Sequence, residues 1–314
     1  MHQGPATGPP PPISRVDHRP GRCGPSGTLV LGPMPSEHRS AAEAPSQPRP
    51  RATRRLSELR ASDLEDHLSD QSILVLPIGA VEQHGPHLPF VTDLEIAARC
   101  ADAVVERAGD ELDLWLLEPL AYTKSNEHAG TPGTVWLGPE TLLRVLDDIG
   151  RSLAATPARK LAMLNGHGGN SSLLNVACRE LRLHHRLETF LLHPSLPPDQ
   201  GGTSEDIPSA GLVSELGMGI HAGRAETSLM LHLRPDLVRL DLAHRNVPEH
   251  LAANAQVRFG GAVTFGWLAS DFGPEGTIGD PTGADGATGA ALFELSVDQL
   301  IQAFSEIRDF RFRD

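Results

Sequence analysis

The stretch that most constrains this chain is the apolar run Ile73-Leu-Val-Leu-Pro-Ile-Gly79, followed at once by Glu82-Gln-His84-Gly-Pro-His87-Leu-Pro89 and, a few residues on, Asp93. The run has the length and β-branched content of a buried strand, and a helical pattern starts near Leu94. Polar side chains therefore gather at the carboxyl end of a strand, where the loops of an open α/β sheet line a crevice. Carboxylates and imidazoles crowded into so short a span are electrostatically awkward unless a cation sits among them. Glu82 and His84 are two apart on an extended chain and point to one side. Pro86 and Pro89 stiffen the turn that brings Asp93 back. One isolated Glu-x-His reads as a surface loop; the complete stretch predicts a metal site.

The same logic extends along the chain. Residues 1–53 are rich in Pro, Gly, Ser and Arg, carry Pro9-Pro10-Pro11-Pro12 and show no periodic apolar face, so a disordered tail is expected, with Met34 as an alternative start. Residues 54–314 are expected to form one domain. Leu56, Leu59, Leu64 and Leu68 recur at helical spacing, with Ser62 or Asp63 as a cap; Ile96 to Val105 mark a helix from Leu94 to about Arg107. Leu114–Leu120 reads as a second buried strand, residues 140–154 as a helix opened by Pro139, and Lys160–Leu164 as a third strand. The third strand runs into Asn165-Gly-His167-Gly-Gly-Asn170 and a helix over 171–187, the βα unit of a parallel sheet. A fourth strand is expected over Thr189–His193, then a long loop over 194–219 able to act as a lid. A short helix ends near Leu233, residues 235–258 look irregular, and Ala262–Trp267 reads as a strand. A glycine-rich loop over 273–283 precedes a helix over 284–304.

The chain of 314 residues has a formal net charge of −13, which argues against a nucleic-acid backbone or an anionic membrane as main partner. Cys23, Cys100 and Cys178 show neither disulfide-framework nor zinc-ribbon spacing, which reads as a reducing, cytoplasmic setting. No apolar run approaches the length that spans a bilayer.

His167 stands where Glu82 and His84 stand, at a strand end among glycines, and is a further candidate ligand. The Gly-His-Gly-Gly-Asn turn lacks the lysine and spacing of a Walker loop. His221-Ala-Gly-x-x-Glu226-Thr-Ser opens another short helix. Each alone reads as a helix-terminus residue. Together with Gly79-Ala-Val-Glu82-Gln-His84-Gly-Pro-His87, Pro132-Gly-Thr134 and Gly279-Asp280-Pro281, they make the sequence over about residues 70–305 resemble the creatininase family of metal-dependent amidohydrolases.

The resemblance implies a three-layer α/β/α domain with a mostly parallel central sheet, commonly assembled into homo-oligomers (a hexamer), with two divalent ions per chain, zinc, manganese or iron. It implies that Glu82 and His84 bind different metals, that Asp93 bridges them and that His167 completes one sphere. Creatininase itself resembles Asn-Gly-His-Tyr-Glu-Asn at the second motif, with the Glu as a ligand. This chain has Gly168 and Gly169 there, and Glu226 is expected to supply the absent carboxylate. His221 matches the family histidine that protonates the leaving nitrogen. Tyr122, Glu127, His128 and Trp136 flank the Pro-Gly-Thr segment and are expected to line the substrate pocket. The expected reaction is hydrolysis of a non-peptide C–N bond of a small-molecule amide, lactam or formamide. The rival within the family is the branch that trims a precursor peptide in mycofactocin maturation; the rival outside enzymology is a metal-dependent binding protein. Ser171 and Ser172 lack a nucleophile-elbow context.

Overall fold

In a computed structural model that describes residues 53–194 and 214–312, four strands form one parallel sheet in the order β2-β1-β3-β4. They are β1 (Ile73–Ile78), β2 (Leu114–Leu116), β3 (Lys160–Asn165) and β4 (Glu188–Leu192). The helices are α1 (Leu64–His67), α2 (Thr92–Leu112), α3 (Pro139–Leu153), α4 (Ser171–His185), α5 (Arg224–Leu233), α6 (Glu249–Ala252) and α7 (Gly286–Asp309).

The period-2 side-chain alternation of the strands divides the core between two faces. Ile73, Val75, Leu114, Leu116, Ala162 and Leu164 pack with apolar residues of α2, α5 and α7. Leu74, Leu76, Ile78, Trp115, Leu161 and Met163 pack with α3 and α4. Both faces being covered explains why β1 and β3 are continuous apolar runs. The result is the three-layer α/β/α arrangement expected.

Chain order places the site. From β1 the chain moves to one side to form β2, then crosses back over β1 to form β3. The carboxyl ends of β1 and β3 thus lie side by side while their connections leave on opposite faces, which opens a crevice at this switch point. Pro77 is tolerated in the central β1 because pairing with β2 stops at Val75 and Leu116; beyond it the Pro77 carbonyl accepts from Leu120 N–H, and nothing on that side requires a donor from residue 77.

Several elements differ from expectation. The helix read over Leu56–Leu68 is two 3₁₀ turns, Leu56–Glu58 and Ala61–Asp63, followed by the four residues of α1; Asp63 accepts from Arg60 N at 3.4 Å at the start of the second turn, but neither Ser62 nor Asp63 caps α1 through its side chain. The strand read over Leu114–Leu120 closes at Leu116, because Pro119 has no N–H for a ladder; Leu120 returns as an isolated bridge to Ile78. Residues 262–267 are not a strand: Phe265 and Trp267 alternate because both pack around Phe259, with ring centroids 5.1 and 5.6 Å away. α2 begins at Thr92, so Asp93 lies in its first turn rather than in the preceding loop. The expected tail, apart from Thr53, and residues 195–213 of the lid expected over 194–219 fall outside the described residues. No helix among the described residues is long and apolar enough to cross a membrane.

Lys160 opens β3 with a buried stem, and its Nζ donates to Ile307 O at 2.8 Å and Arg308 O at 2.6 Å. It supplies the donors that the last turn of α7 lacks. Lys160→Met should keep the stem packing and lower unfolding free energy by about 1–3 kcal/mol, the cost of buried acceptors losing a charged donor. Chemical denaturation reads this, and an unchanged midpoint would remove the cap from the account.

Candidate metal centre

The first turn of α2 is pressed against two strand ends. A Cβ on Gly79, after β1, would stand 2.4 Å from Leu94 Cα, and one on Gly166, after β3, would stand 2.5 Å from Asp93 O. Only glycine at both places lets the helix start reach the crevice. The Asn165–Asn170 turn is tied by its own amides. Asn165 Nδ2 donates to His167 O at 2.7 Å, and Asn170 Nδ2 donates to Thr123 Oγ1 at 3.1 Å. On the far side Glu215, also buried, accepts from Arg224 N at 3.1 Å and Asp280 N at 2.6 Å. It clamps the segment that carries His221 and Glu226 to the Asp280 loop.

These elements bring Glu82, His84, Asp93, His167, His221 and Glu226 together. Three sets each offer ligand atoms within 4.8 Å of one another: Glu82 with His84 and His221, Glu82 with Asp93 and His167, and His84 with Asp93 and Glu226. Asp93 belongs to two sets. His84 Nδ1 donates to Glu82 O at 3.1 Å, which leaves Nε2 facing Asp93 Oδ1, also at 3.1 Å. His167 Nε2 donates to Lys124 O at 3.0 Å, which leaves Nδ1 facing Asp93 Oδ2 at 3.0 Å. Each oxygen of one carboxylate thus meets a different imidazole nitrogen whose partner nitrogen already holds its proton.

A lone pair opposite a carboxylate oxygen needs a cation between them. Two ligands on a zinc-type ion, with bonds of ~2.0–2.2 Å, stand about 3 Å apart, as these do. Glu82 Oε1, Glu82 Oε2 and Asp93 Oδ2 are buried without a hydrogen bond. Leaving such oxygens unpaired costs several kcal/mol each, on the order of the charged-group penalty. The donor set of carboxylate and imidazole therefore fits divalent first-row ions.

The protonation pattern points the same way. Burial raises the Glu82 carboxyl against the pull of His167, to about 8, and raises Glu226 against His84, to about 7. For His84 burial works downward, but Asp93 outweighs it and drives the imidazole up to about 10. Asp93 is lowered despite its burial, by His84 and His167. Protein charges alone thus satisfy the cluster only by making imidazolium, a charge that a bound cation would replace.

A stack of rings closes one side. His84 and His221 have centroids 4.3 Å apart, His221 and His128 4.4 Å, and Trp267 stands edge-on to His128 at 6.4 Å. His221 Nε2 donates to Gln83 O at 2.8 Å, so Nδ1 is the nitrogen turned to the site, 3.7 Å from Glu82 Oε1. His128 accepts from Gln83 Nε2 at 2.9 Å through Nδ1 and points Nε2 at Glu82 Oε1 at 3.3 Å. Burial lowers His128 to about 3 and His221 well below its usual value.

Of the residues expected to line a pocket, Glu127 and His128 are buried against the cluster, whereas Tyr122 and Trp136 stand exposed outside it. A cavity of about 250 Å³ opens on His84 instead, lined by Phe90, Pro86, Leu88, Thr131, Pro274 and Glu275 among others. Sequence reasoning missed Gln83, although its place between Glu82 and His84 was a signal. It also missed Glu275, which reaches the site by tertiary folding from 190 residues away and had no local signal.

Comparison with known proteins agrees with this geometry. The family model described as creatinine amidohydrolase matches residues 57–304. The mycofactocin precursor peptide peptidase of Mycolicibacterium smegmatis is 36% identical over 229 residues, which cover 72% of this chain and 81% of that protein. The creatinine amidohydrolase of Pseudomonas putida is 35% identical over 182 residues, covering 54% of this chain and 67% of that one. A solved structure described as "Creatininase Mn" superimposes with a TM-score of 0.62 at 27% identity, over 81% of this chain and 98% of that chain. With the matched model spanning most of the chain and the strand-end cluster in place, the protein belongs to the creatininase family and is a creatininase-like hydrolase.

Proposed function

We propose that this hydrolase cleaves a C–N amide bond at a two-metal centre built from Glu82, His84, Asp93, His167 and Glu226. The observation that carries the reading is the Asp93 carboxylate, whose two oxygens face two imidazole nitrogens at 3.1 and 3.0 Å. When bound, two divalent ions supply an activated water and a Lewis acid for the scissile carbonyl. The chain does the rest. Glu82 and Glu226 balance the charge of the centre on either side of Asp93, and burial keeps bulk water from competing. His221 presents a free Nδ1 to the site while Gln83 O holds its Nε2–H, so this imidazole can take up at Nδ1 the proton released by the attacking water and hand it on to the departing nitrogen, which is too basic to leave as an anion.

Two substrate classes follow from the relatives. The peptide reading is favoured by coverage: the mycofactocin precursor peptide peptidase of Mycobacterium ulcerans aligns over 252 residues, 90% of its length, against the 182 residues of the Pseudomonas putida enzyme. The cavity beside His84, walled by Phe90, Leu88 and two prolines with Glu275 at its edge, suits an apolar side chain carried by a peptide amide. A small-molecule amide or lactam is the second reading, since the Pseudomonas putida relative is named for creatinine. Elemental analysis of protein purified without chelator should give about two divalent ions per chain. Turnover should then appear on short peptides carrying an apolar side chain ahead of creatinine. No metal bound or taken up would end the hydrolase mechanism.

His221→Ala should retain metal and lower kcat by about 10²–10⁴-fold, the usual contribution of a general acid. Unchanged steady-state rates would remove His221 from proton transfer, and loss of metal would make it a ligand instead.

A further inference from the structure

The two glycines after His167 are not equivalent. A Cβ at position 168 would meet open space, whereas one at 169 would lie 1.7 Å from Glu127 Oε1 and 2.4 Å from His167 Nε2. The volume beside the imidazole is therefore already filled, by a carboxylate arriving from the 3₁₀ turn Asn126–His128 across the crevice. Both Glu127 oxygens are engaged there. Oε2 accepts from Lys124 Nζ at 2.7 Å, and Oε1 stands 3.3 Å from His167 Nε2. The Lys124 carbonyl accepts from the same nitrogen at 3.0 Å, and Glu82 Oε2, a candidate ligand, also stands 3.3 Å from it, without the lysine anchor that holds Glu127. The Glu127 side chain is only 8% exposed, so it offers little face to a substrate.

We propose that Glu127 is the positioning residue of His167: anchored by Lys124 in the space that Gly169 leaves free, its carboxylate joins the Lys124 carbonyl in holding the proton on Nε2, so that Nδ1 is presented beside Asp93. This rests on the two-metal reading of the site. The physical reason is general: an oxygen partner behind a ligating imidazole fixes tautomer and ring orientation and makes the facing nitrogen a better donor. It also explains why Lys124 and Glu127, about forty residues before the Gly169 turn, meet it at one imidazole. Glu127 leaves the group of substrate-lining candidates, and Gly169 is fixed by the need to accommodate it.

The test uses wild type, Glu127→Ala and Glu127→Gln, each as full-length protein. In zinc-loaded samples labelled at histidine ring nitrogen, with His167→Asn identifying the signal, wild type and Glu127→Gln should show His167 with its proton on Nε2. Glu127→Ala should show a mixture. Competition with a chelator for zinc should show one site weakened by about 10–100-fold in Glu127→Ala, and by less in Glu127→Gln, with the other site unchanged. An unchanged tautomer, or unchanged zinc affinity at both sites, would overturn the proposal. A raised KM with tautomer and affinity intact would also overturn it and return Glu127 to substrate binding. If wild type itself takes up no zinc, the two-metal reading fails and this proposal falls with it; zinc bound by wild type with tautomer and affinity unchanged in Glu127→Ala overturns this proposal alone. Should Glu127→Ala not fold, Glu127→Gln decides: zinc held as tightly as in wild type would overturn the assignment.

Discussion

Asp93→Ala is expected to empty both halves of the centre, taking metal content from about two ions per chain to fewer than one and abolishing measurable turnover. The size of the effect follows from sharing. Glu82 and His84 also belong to two sets, but Asp93 is the carboxylate whose two oxygens come nearest to two different imidazoles, Oδ1 to His84 at 3.1 Å and Oδ2 to His167 at 3.0 Å. Its removal leaves His84 with Glu226, and His167 with Glu82, as incomplete sets of two; the set of Glu82, His84 and His221 keeps its three members, so any ion that remains should sit there. Asp93→Asn distinguishes charge from geometry: an amide keeps one oxygen, so one ion should persist at reduced affinity. Elemental analysis of the three proteins reads the outcome. Two ions retained in Asp93→Ala would refute the shared carboxylate, and loss of one alone would assign Asp93 to a single sphere.

Gly166→Ala is expected to damage the same centre without touching a ligand. The new Cβ would stand 2.5 Å from Asp93 O and 3.0 Å from Ala97 Cβ, so the first turn of α2 must move away from the end of β3. Overpacking of this kind costs about 1–3 kcal/mol in stability. The displacement falls on Asp93 itself, and metal affinity should drop together with the denaturation midpoint. Gly168→Ala, which meets open space, is the matched control and should change neither. Equal behaviour of the two variants would show that the α2 start is free to adjust and is not held by its contact with the strand.

The sheet was legible because its strands are buried on both faces. β1 and β3 are apolar runs with no competing helical period, and their ends were placed to within about a residue. The helices α2, α3, α4 and α7 were legible from amphipathic spacing. Three misreadings share a cause. Leucines over 56–68, the run to Leu120 and the alternation at Phe265 and Trp267 carry a correct apolar pattern, but the backbone there answers to partners the pattern does not name. A proline stops one ladder, and an aromatic cluster around Phe259 satisfies the other alternation without a strand.

The candidate ligands were legible for a different reason. Carboxylates and imidazoles placed at the ends of buried strands have no cheap solution except a cation, so Glu82, His84, Asp93 and His167 announce themselves from spacing alone. The sequence by itself determined the layers, the strand ends and the kinds of atoms gathered there, because periodicity and local spacing are one-dimensional properties. Only the tertiary structure decided which nitrogen of each imidazole faces Asp93, that Glu226 joins His84 rather than His167, and that Glu127 occupies the space beside Gly169. Those depend on backbone carbonyls and on approaches of a few ångströms between segments far apart in the chain, and no local pattern encodes a contact whose two halves are folded together by the rest of the molecule.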